Sequence, residues 1–317
     1  MKKVLLSVLI ILVVLTGCNS KGYETYQNAM DRYGTINEGR EKINVYIDLQ
    51  FNTENLSEEE VQELMIFDRM DMELDLTYNG DQAIAKNYIY FGGMGMESNF
   101  YMIDEDMYME IPMFNYVVKI EEDDNKNVVV IDMESDALSK IRNIWVNVLK
   151  DEDVVIGENT ILSTNQGNVK ASRYMVNVSE EQLKILFDEV LEVIVEELVR
   201  FALQNKLLED RNFNFSIVEM RDFINRIQLK GFKGEVYIDY DGYPIYQSYE
   251  IDIAFKDSQS RQISGIKLVF EEELIEYNKS QELVFPDFGA LNIKSMDEFV
   301  GLEFIQGDFM GQWIFWE

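Results

Sequence analysis

Ile43, Val45, Ile47, Leu49 and Phe51 alternate with Lys42, Asn44, Tyr46, Asp48 and Gln50. A period of two sends the first set to one face of a strand and the second to the other. Such a strand buries one face only, so it demands neighbours built the same way. Met70, Met72, Leu74 and Leu76 answer it, alternating with Asp71, Glu73, Asp75 and Thr77, and the chain then turns at Asn79-Gly80. Asn-Gly between alternating runs is the strongest short-range hairpin signal. Further strands are expected over residues 83–91, 94–103 and 107–112, the last pair joined at Asp104-Glu105-Asp106. The pattern is an antiparallel meander with one wet face.

Helical periodicity interrupts the strands at five places. Tyr23, Tyr26, Ala29 and Met30 share one face of a helix over 20–33. Ser57-Glu58-Glu59-Glu60 has the form of a capping box and opens a short helix to about 67. A third helix covers 135–149, with Leu138, Ile141, Ile144, Trp145 and Val148 inward. After a hairpin pairing 154–164 with 169–178, Ser179-Glu180-Glu181-Gln182 caps the longest helix, to about 204. Its stripe is Leu183, Leu186, Val190, Leu191, Ile194, Leu198 and Phe201. A last helix is expected over 216–228, followed by strands over 232–240, 243–255 and 261–273. No Ser/Gly/Pro-rich linker and no solenoid-period repeat divides the chain, so one α+β domain is expected.

The N-terminus is of another kind. Lys2 and Lys3 precede residues 4–15, apolar except for Ser7, and Cys18 follows Leu15-Thr16-Gly17. The apolar run falls short of the roughly twenty residues that span a bilayer and reads as an export signal. Leu-Thr-Gly-Cys resembles the lipobox of bacterial lipoproteins. That resemblance implies a signal peptide of residues 1–17, removed before Cys18, whose thiol receives a diacylglyceryl group and whose amine is acylated. The protein would then be lipid-anchored on the extracytoplasmic face of the cell membrane. Cys18 is the only cysteine, so no disulfide can form within one chain, and packing must supply stability. The formal charge of −31 disfavours nucleic acid and anionic headgroups as partners. Contact with the membrane rests on the acyl chains.

The element order resembles the LolA-like and LppX-like lipoprotein folds. The segments that carry the likeness are Gly167-Asn168-Val169-Lys170-Ala171-Ser172-Arg173-Tyr174-Met175-Val176-Asn177-Val178-Ser179-Glu180-Glu181-Gln182-Leu183 and Val236-Tyr237-Ile238-Asp239-Tyr240-Asp241-Gly242-Tyr243-Pro244-Ile245. It covers residues 41–286 and rests on element order and diffuse patterns. The resemblance implies a curved antiparallel sheet, a half-barrel, with helices packed on its concave face. Residues 18–40 would form a lipidated tether and N-terminal helix, 41–290 the domain, and 291–317 an apolar tail that packs back or meets a partner. Phe309, Trp313, Phe315 and Trp316 make that tail aromatic. Relatives of this kind hold lipid between sheet and helices. The corresponding lining here would be Met70, Met72, Leu74, Leu76, Met107 and Met109, which would otherwise be core.

Catalytic sets are missing. Without histidine, and with the one thiol acylated, Ser-His-Asp, Cys-His and histidine–zinc chemistry are unavailable. Carboxylate pairs are uninformative among 59 acidic residues. Gly92-Gly93-Met94-Gly95 lacks the lysine and spacing of a phosphate loop. No catalytic residue and no cofactor is expected. The acidic clusters at 104–106, 121–124 and 151–153 fit no EF-hand loop and read as solvated turns rather than calcium sites. Met-X-Met recurs at Met70/Met72, Met94/Met96 and Met107/Met109, and thioethers suit copper(I). Without histidine or cysteine partners, an adaptable apolar surface is the better reading, so no metal is expected. Two functions follow: a non-catalytic binding protein for lipid or another hydrophobic ligand, or a structural or protein-interaction lipoprotein of the envelope with no small-molecule ligand.

Overall fold

A computed structural model describes residues 20–54, 56–104, 106–114, 116–120, 135–164, 167–204, 226–256 and 263–295. Four α-helices and twelve strands lie among them: α1 (Ser20–Tyr33), β1 (Glu38–Phe51), α2 (Glu58–Met65), β2 (Arg69–Asn79), β3 (Gln82–Phe91), β4 (Met94–Ile103), β5 (Asp106–Ile111), β6 (Tyr116–Ile120), α3 (Ser135–Val148), β7 (Val154–Thr164), β8 (Gly167–Val176), α4 (Glu180–Gln204), β9 (Ile227–Asp239), β10 (Pro244–Phe255), β11 (Ile263–Tyr277) and β12 (Ile293–Ser295). The strands form one open sheet in the order β12-β6-β5-β4-β3-β2-β1-β11-β10-β9-β8-β7. Every pair is antiparallel except β12 on β6. The chain is α+β.

Local chemistry explains the boundaries. The backbone N–H of Ser57 donates to Glu60 Oε2 (2.7 Å), and that of Glu60 donates to Ser57 Oγ (3.3 Å). The same reciprocal pair recurs at Ser179 and Gln182, at 3.1 and 3.3 Å. Both capping boxes therefore satisfy the orphan amides that begin α2 and α4. Gly80 begins the two-residue turn between β2 and β3 at a φ of 62°, where a side chain would be strained.

Register carries one alternation through the sheet. Ile43 stands opposite Leu74 on β2 and Glu272 on β11, and Val45 opposite Met72 and Phe270. Directly opposed residues share a face, so the inward set of β1 continues through Tyr249 and Ile251 of β10 to Val236 of β9, Tyr174 and Val176 of β8 and Val154 of β7. At the β7–β10 end these residues pack with Tyr26, Ala29 and Met30 of α1 and Leu183 of α4 in one core cluster.

Several expectations need correction. Ile227 and Gln228, expected in a helix, begin β9; Arg226 before them is helical, and residues 216–225 of that expected helix lie outside the described residues. Strands β6 and β12 carry no sequence signal strong enough to be expected. Glu38–Arg40 extend β1, and β12 ties residues 293–295 to the sheet. Of the stripe residues on α4 whose burial is described, Leu183 is fully buried, while Leu186, Val190, Leu191 and Ile194 are half-buried. Val193, Val195 and Glu197 are buried instead, and α4 meets α3 as well as β9. Cys18, the segment 1–17 expected to be an export signal and the aromatic end of the tail lie outside the described residues.

Candidate functional site

The six expected lining residues do share a face. Met70, Met72, Leu74 and Leu76 stand opposite Phe91, Ile89, Asn87 and Ala85 of β3. Met109 pairs with Phe100 of β4 and Val118 of β6, and Met107 with Met102 and Ile120. Across β3 and β4 the registers Ile89–Met96 and Ala85–Phe100 carry the face on either side of one polar pair, Asn87 and Ser98, hydrogen-bonded at 3.3 Å. Three strand steps separate β2 from β5, about 14 Å, so the six form two groups bridged by Ile89, Phe91, Met96 and Phe100. All six are half-buried. Met94, Met96 and Met102 on the same face are 51%, 42% and 36% exposed, so the face grows barer toward β4. The opposite face is charged: Lys42 pairs with Glu73 and Lys119 with Asp106, each at 2.8 Å.

Where the bare face meets the core cluster, the sheet buries two carboxylic acids. Glu41 and Glu272 are 6% and 5% exposed. Tyr78 donates its hydroxyl proton to Glu41 Oε1 (2.6 Å), and Gln247 Nε2 donates to Glu272 Oε2 (3.1 Å). The hydroxyl of Tyr33, the last residue of α1, lies against both acids: 3.3 Å from Glu41 Oε2 and in contact with Glu272 Oε1. The network continues through the Tyr249 hydroxyl, which donates to Gln247 Oε1 (2.9 Å), and on to Tyr26, which accepts from Trp145 Nε1 (2.7 Å). Burial raises both acids above the usual carboxylate range. Glu272 is pushed up to about 7, opposed by the Tyr33 hydrogen bond and reinforced by the Glu41 charge. Glu41 is raised by burial, against hydrogen bonds from Tyr78 and Tyr33. Burial also raises the Tyr33, Tyr78 and Tyr249 phenols, so all three remain donors at neutral pH.

Sequence reading passed over this pair, though a signal was present. Glu41 continues the inward set Ile43-Val45-Ile47, and Glu272 falls between Phe270 and Leu274 on the same parity. An acid at an apolar position of an alternating strand is the mark of a buried, hydrogen-bonded group.

A cavity of about 860 Å³ lies elsewhere, lined by Thr25, Thr160, Lys170, Ser172, Tyr174 and Ile238 among others. It includes none of the six expected lining residues. Of the acidic turns, Asp153 Oδ2 accepts from Lys150 N at 2.7 Å and from Gln182, and Asp106 pairs with Lys119, while the cluster at 121–124 lies outside the described residues; Asp239, at a later turn, accepts from Tyr243 N at 2.9 Å and from the Tyr277 hydroxyl. Among the described residues, no three acids, histidines or cysteines are grouped to hold a metal.

No family model matches the chain, and no curated protein matches it. Among solved structures, an uncharacterized conserved protein from Thermus thermophilus aligns at 6% identity. That alignment covers 86% of this chain and 97% of the other, with a TM-score of 0.27. An N-terminal dehydratase from the difficidin assembly line aligns at 10% identity over 82% of this chain and 83% of the other, with a TM-score of 0.10. Alignments this loose carry no argument about fold or chemistry.

Proposed function

We propose that the protein is a lipid-anchored lipoprotein of the extracytoplasmic membrane face that binds lipid or another hydrophobic ligand and catalyses no reaction. In this reading Cys18 carries the anchor, and the sheet curves as a half-barrel with its helices in the concavity. The apolar face of β2–β6 receives the ligand, through Met70, Met72, Leu74, Leu76, Met107 and Met109. The observation that carries it is the extent of that face together with its partial exposure. Burying apolar surface is favourable by roughly 25 cal/mol per Å², and flexible methionines adapt to irregular acyl chains. Among the described residues no helix is long and apolar enough to cross a membrane.

The test is native mass spectrometry of protein expressed from residue 19 and purified gently, with uptake of a fluorescent fatty acid measured alongside. Lipid adducts that diminish in Met72→Glu and Met109→Glu variants are expected. Bare protein with no fatty-acid uptake would overturn the proposal and favour a structural or interaction role.

A further inference from the structure

The hydrogen bonds around the buried acids cannot all be made with the protons their partners supply. Four carboxylate oxygens each meet one donor atom: Tyr78 at Glu41 Oε1, Tyr33 at Glu41 Oε2 and Glu272 Oε1, and Gln247 at Glu272 Oε2. Tyr78 and Gln247 each direct one hydrogen at their contact. Tyr33 has a single hydroxyl hydrogen for two contacts. With both acids ionised, one of Tyr33's contacts would press oxygen against oxygen with no hydrogen between them. One added proton completes the set: a protonated Glu272 donates to the Tyr33 oxygen, and Tyr33 donates to Glu41.

We propose that Glu41 and Glu272 share one proton in the docked state and form a pH-dependent latch that holds the C-terminal end of α1 on the sheet. Among the described residues, the surroundings of the pair offer nothing else to neutralise it. The titratable or polar groups facing it are Tyr26 and Tyr33 from α1, Tyr78 from β2, and Gln247 and Tyr249 from β10, all uncharged at neutral pH. No lysine or arginine among the described residues pairs with either acid. Loss of the proton leaves two buried negative charges and one contact without a hydrogen, a costly arrangement in a site closed to water. The site is closed on one side by α1, held by Tyr26, Ala29, Met30 and the Tyr33 hydroxyl, with Tyr23 donating to Val146 O and Arg32 to Asp241 O. Opening α1 at its C-terminal end rehydrates both acids and uncovers the apolar residues beneath. Because α1 begins two residues after Cys18, the latch sets how closely the domain is held to that end of the chain. This inference concerns α1 alone and stands whether or not the bare face binds a ligand.

The test is hydrogen–deuterium exchange of the α1 amides in the full chain held in non-ionic detergent, corrected for intrinsic base catalysis. A group titrating near 7 when docked and at its ordinary 4.5 when exposed makes opening about 30-fold more frequent at roughly pH 8.5 than at roughly pH 5.5. Glu272→Gln imitates the protonated acid, since its amide donates to Tyr33 and its oxygen accepts from Gln247. Its α1 protection should lose most of the wild-type pH dependence, leaving only what Glu41, itself raised by burial, contributes. Wild-type protection independent of pH, or a Glu272→Gln protein that keeps the wild-type dependence, overturns the proposal. Infrared spectroscopy of the wild type gives a second reading that needs no variant. A protonated-carboxyl band at pH 6 that fades through about pH 7 supports the shared proton, and its absence refutes it.

Discussion

Substituting Glu272 by Gln should change the pH dependence of global stability by an amount the structure sets. Glu272 titrates near 7 in the folded protein and at 4.5 when unfolded. Its folded value is raised, so between these limits the native state binds more protons than the unfolded state, and stability falls as pH rises. The contribution is fully present below about pH 4.5 and lost once pH has passed about 7. The whole titration is worth about 3.4 kcal/mol, of which about 2 kcal/mol falls between roughly pH 5.5 and 8.5. Many other carboxylates titrate in this acidic chain, so the wild-type curve alone is uninformative. The difference between wild type and Glu272→Gln cancels groups far from the site and leaves the pair. Urea unfolding at a series of pH values supplies both curves. The variant should match the wild type near pH 4.5 and exceed it by about 3 kcal/mol at pH 8.5. Parallel curves, separated by a constant, would show that Glu272 carries no extra proton in the folded protein.

Leu183→Ala should cost about 2–5 kcal/mol by urea unfolding, because the side chain is 1% exposed in the core cluster where α4 meets the sheet. Cys18→Ala should abolish labelling by radioactive palmitate and release the protein from membranes; a variant still labelled would refute the lipobox reading. A reductant should leave the thermal midpoint unmoved, since one cysteine cannot form a disulfide within one chain, and a clear fall would reveal a bridge between two chains. Ser179→Ala should destabilise by about 1 kcal/mol in the same unfolding assay, through loss of the hydroxyl that accepts from Gln182 N.

Elements with their own local signals were legible. Period-two runs on β1 and β2, the turn at Gly80, and the boxes at Ser57 and Ser179 appear where side-chain parity and capping chemistry place them. Strands β6 and β12 were not legible, because their existence depends on partners. Ile293–Ser295 is three residues long and forms a strand only because the chain after β11 returns to the far edge of the sheet, where it pairs with Val117 and Val118. Phe288 stacking on Tyr108 at 4.2 Å marks its route across the charged face. The same limit governs α4. Helical period predicts which residues lie on one side, but not that α4 packs on α3 as well as β9, nor that Val193, Val195 and Glu197 are buried.

The candidate site divides along the same line. That Met70, Met72, Leu74 and Leu76 share a face follows from parity within one strand. That Met107 and Met109 join them requires the register of the pairings from β2 through β5, each set by its own turn. The acid pair lies beyond such reasoning. Residues 41 and 272 are brought together by the pairing of the first strand with the eleventh, and Tyr33 reaches them only through the placement of α1. Parity marks each acid separately as facing the apolar side, and a lone inward acid invites the reading of a strand end or a register slip. Two such acids become a proton-sharing site only when long-range pairing puts one hydroxyl between them. The chemistry most worth testing in this chain therefore arises from contacts between residues more than two hundred positions apart, where local pattern carries no information.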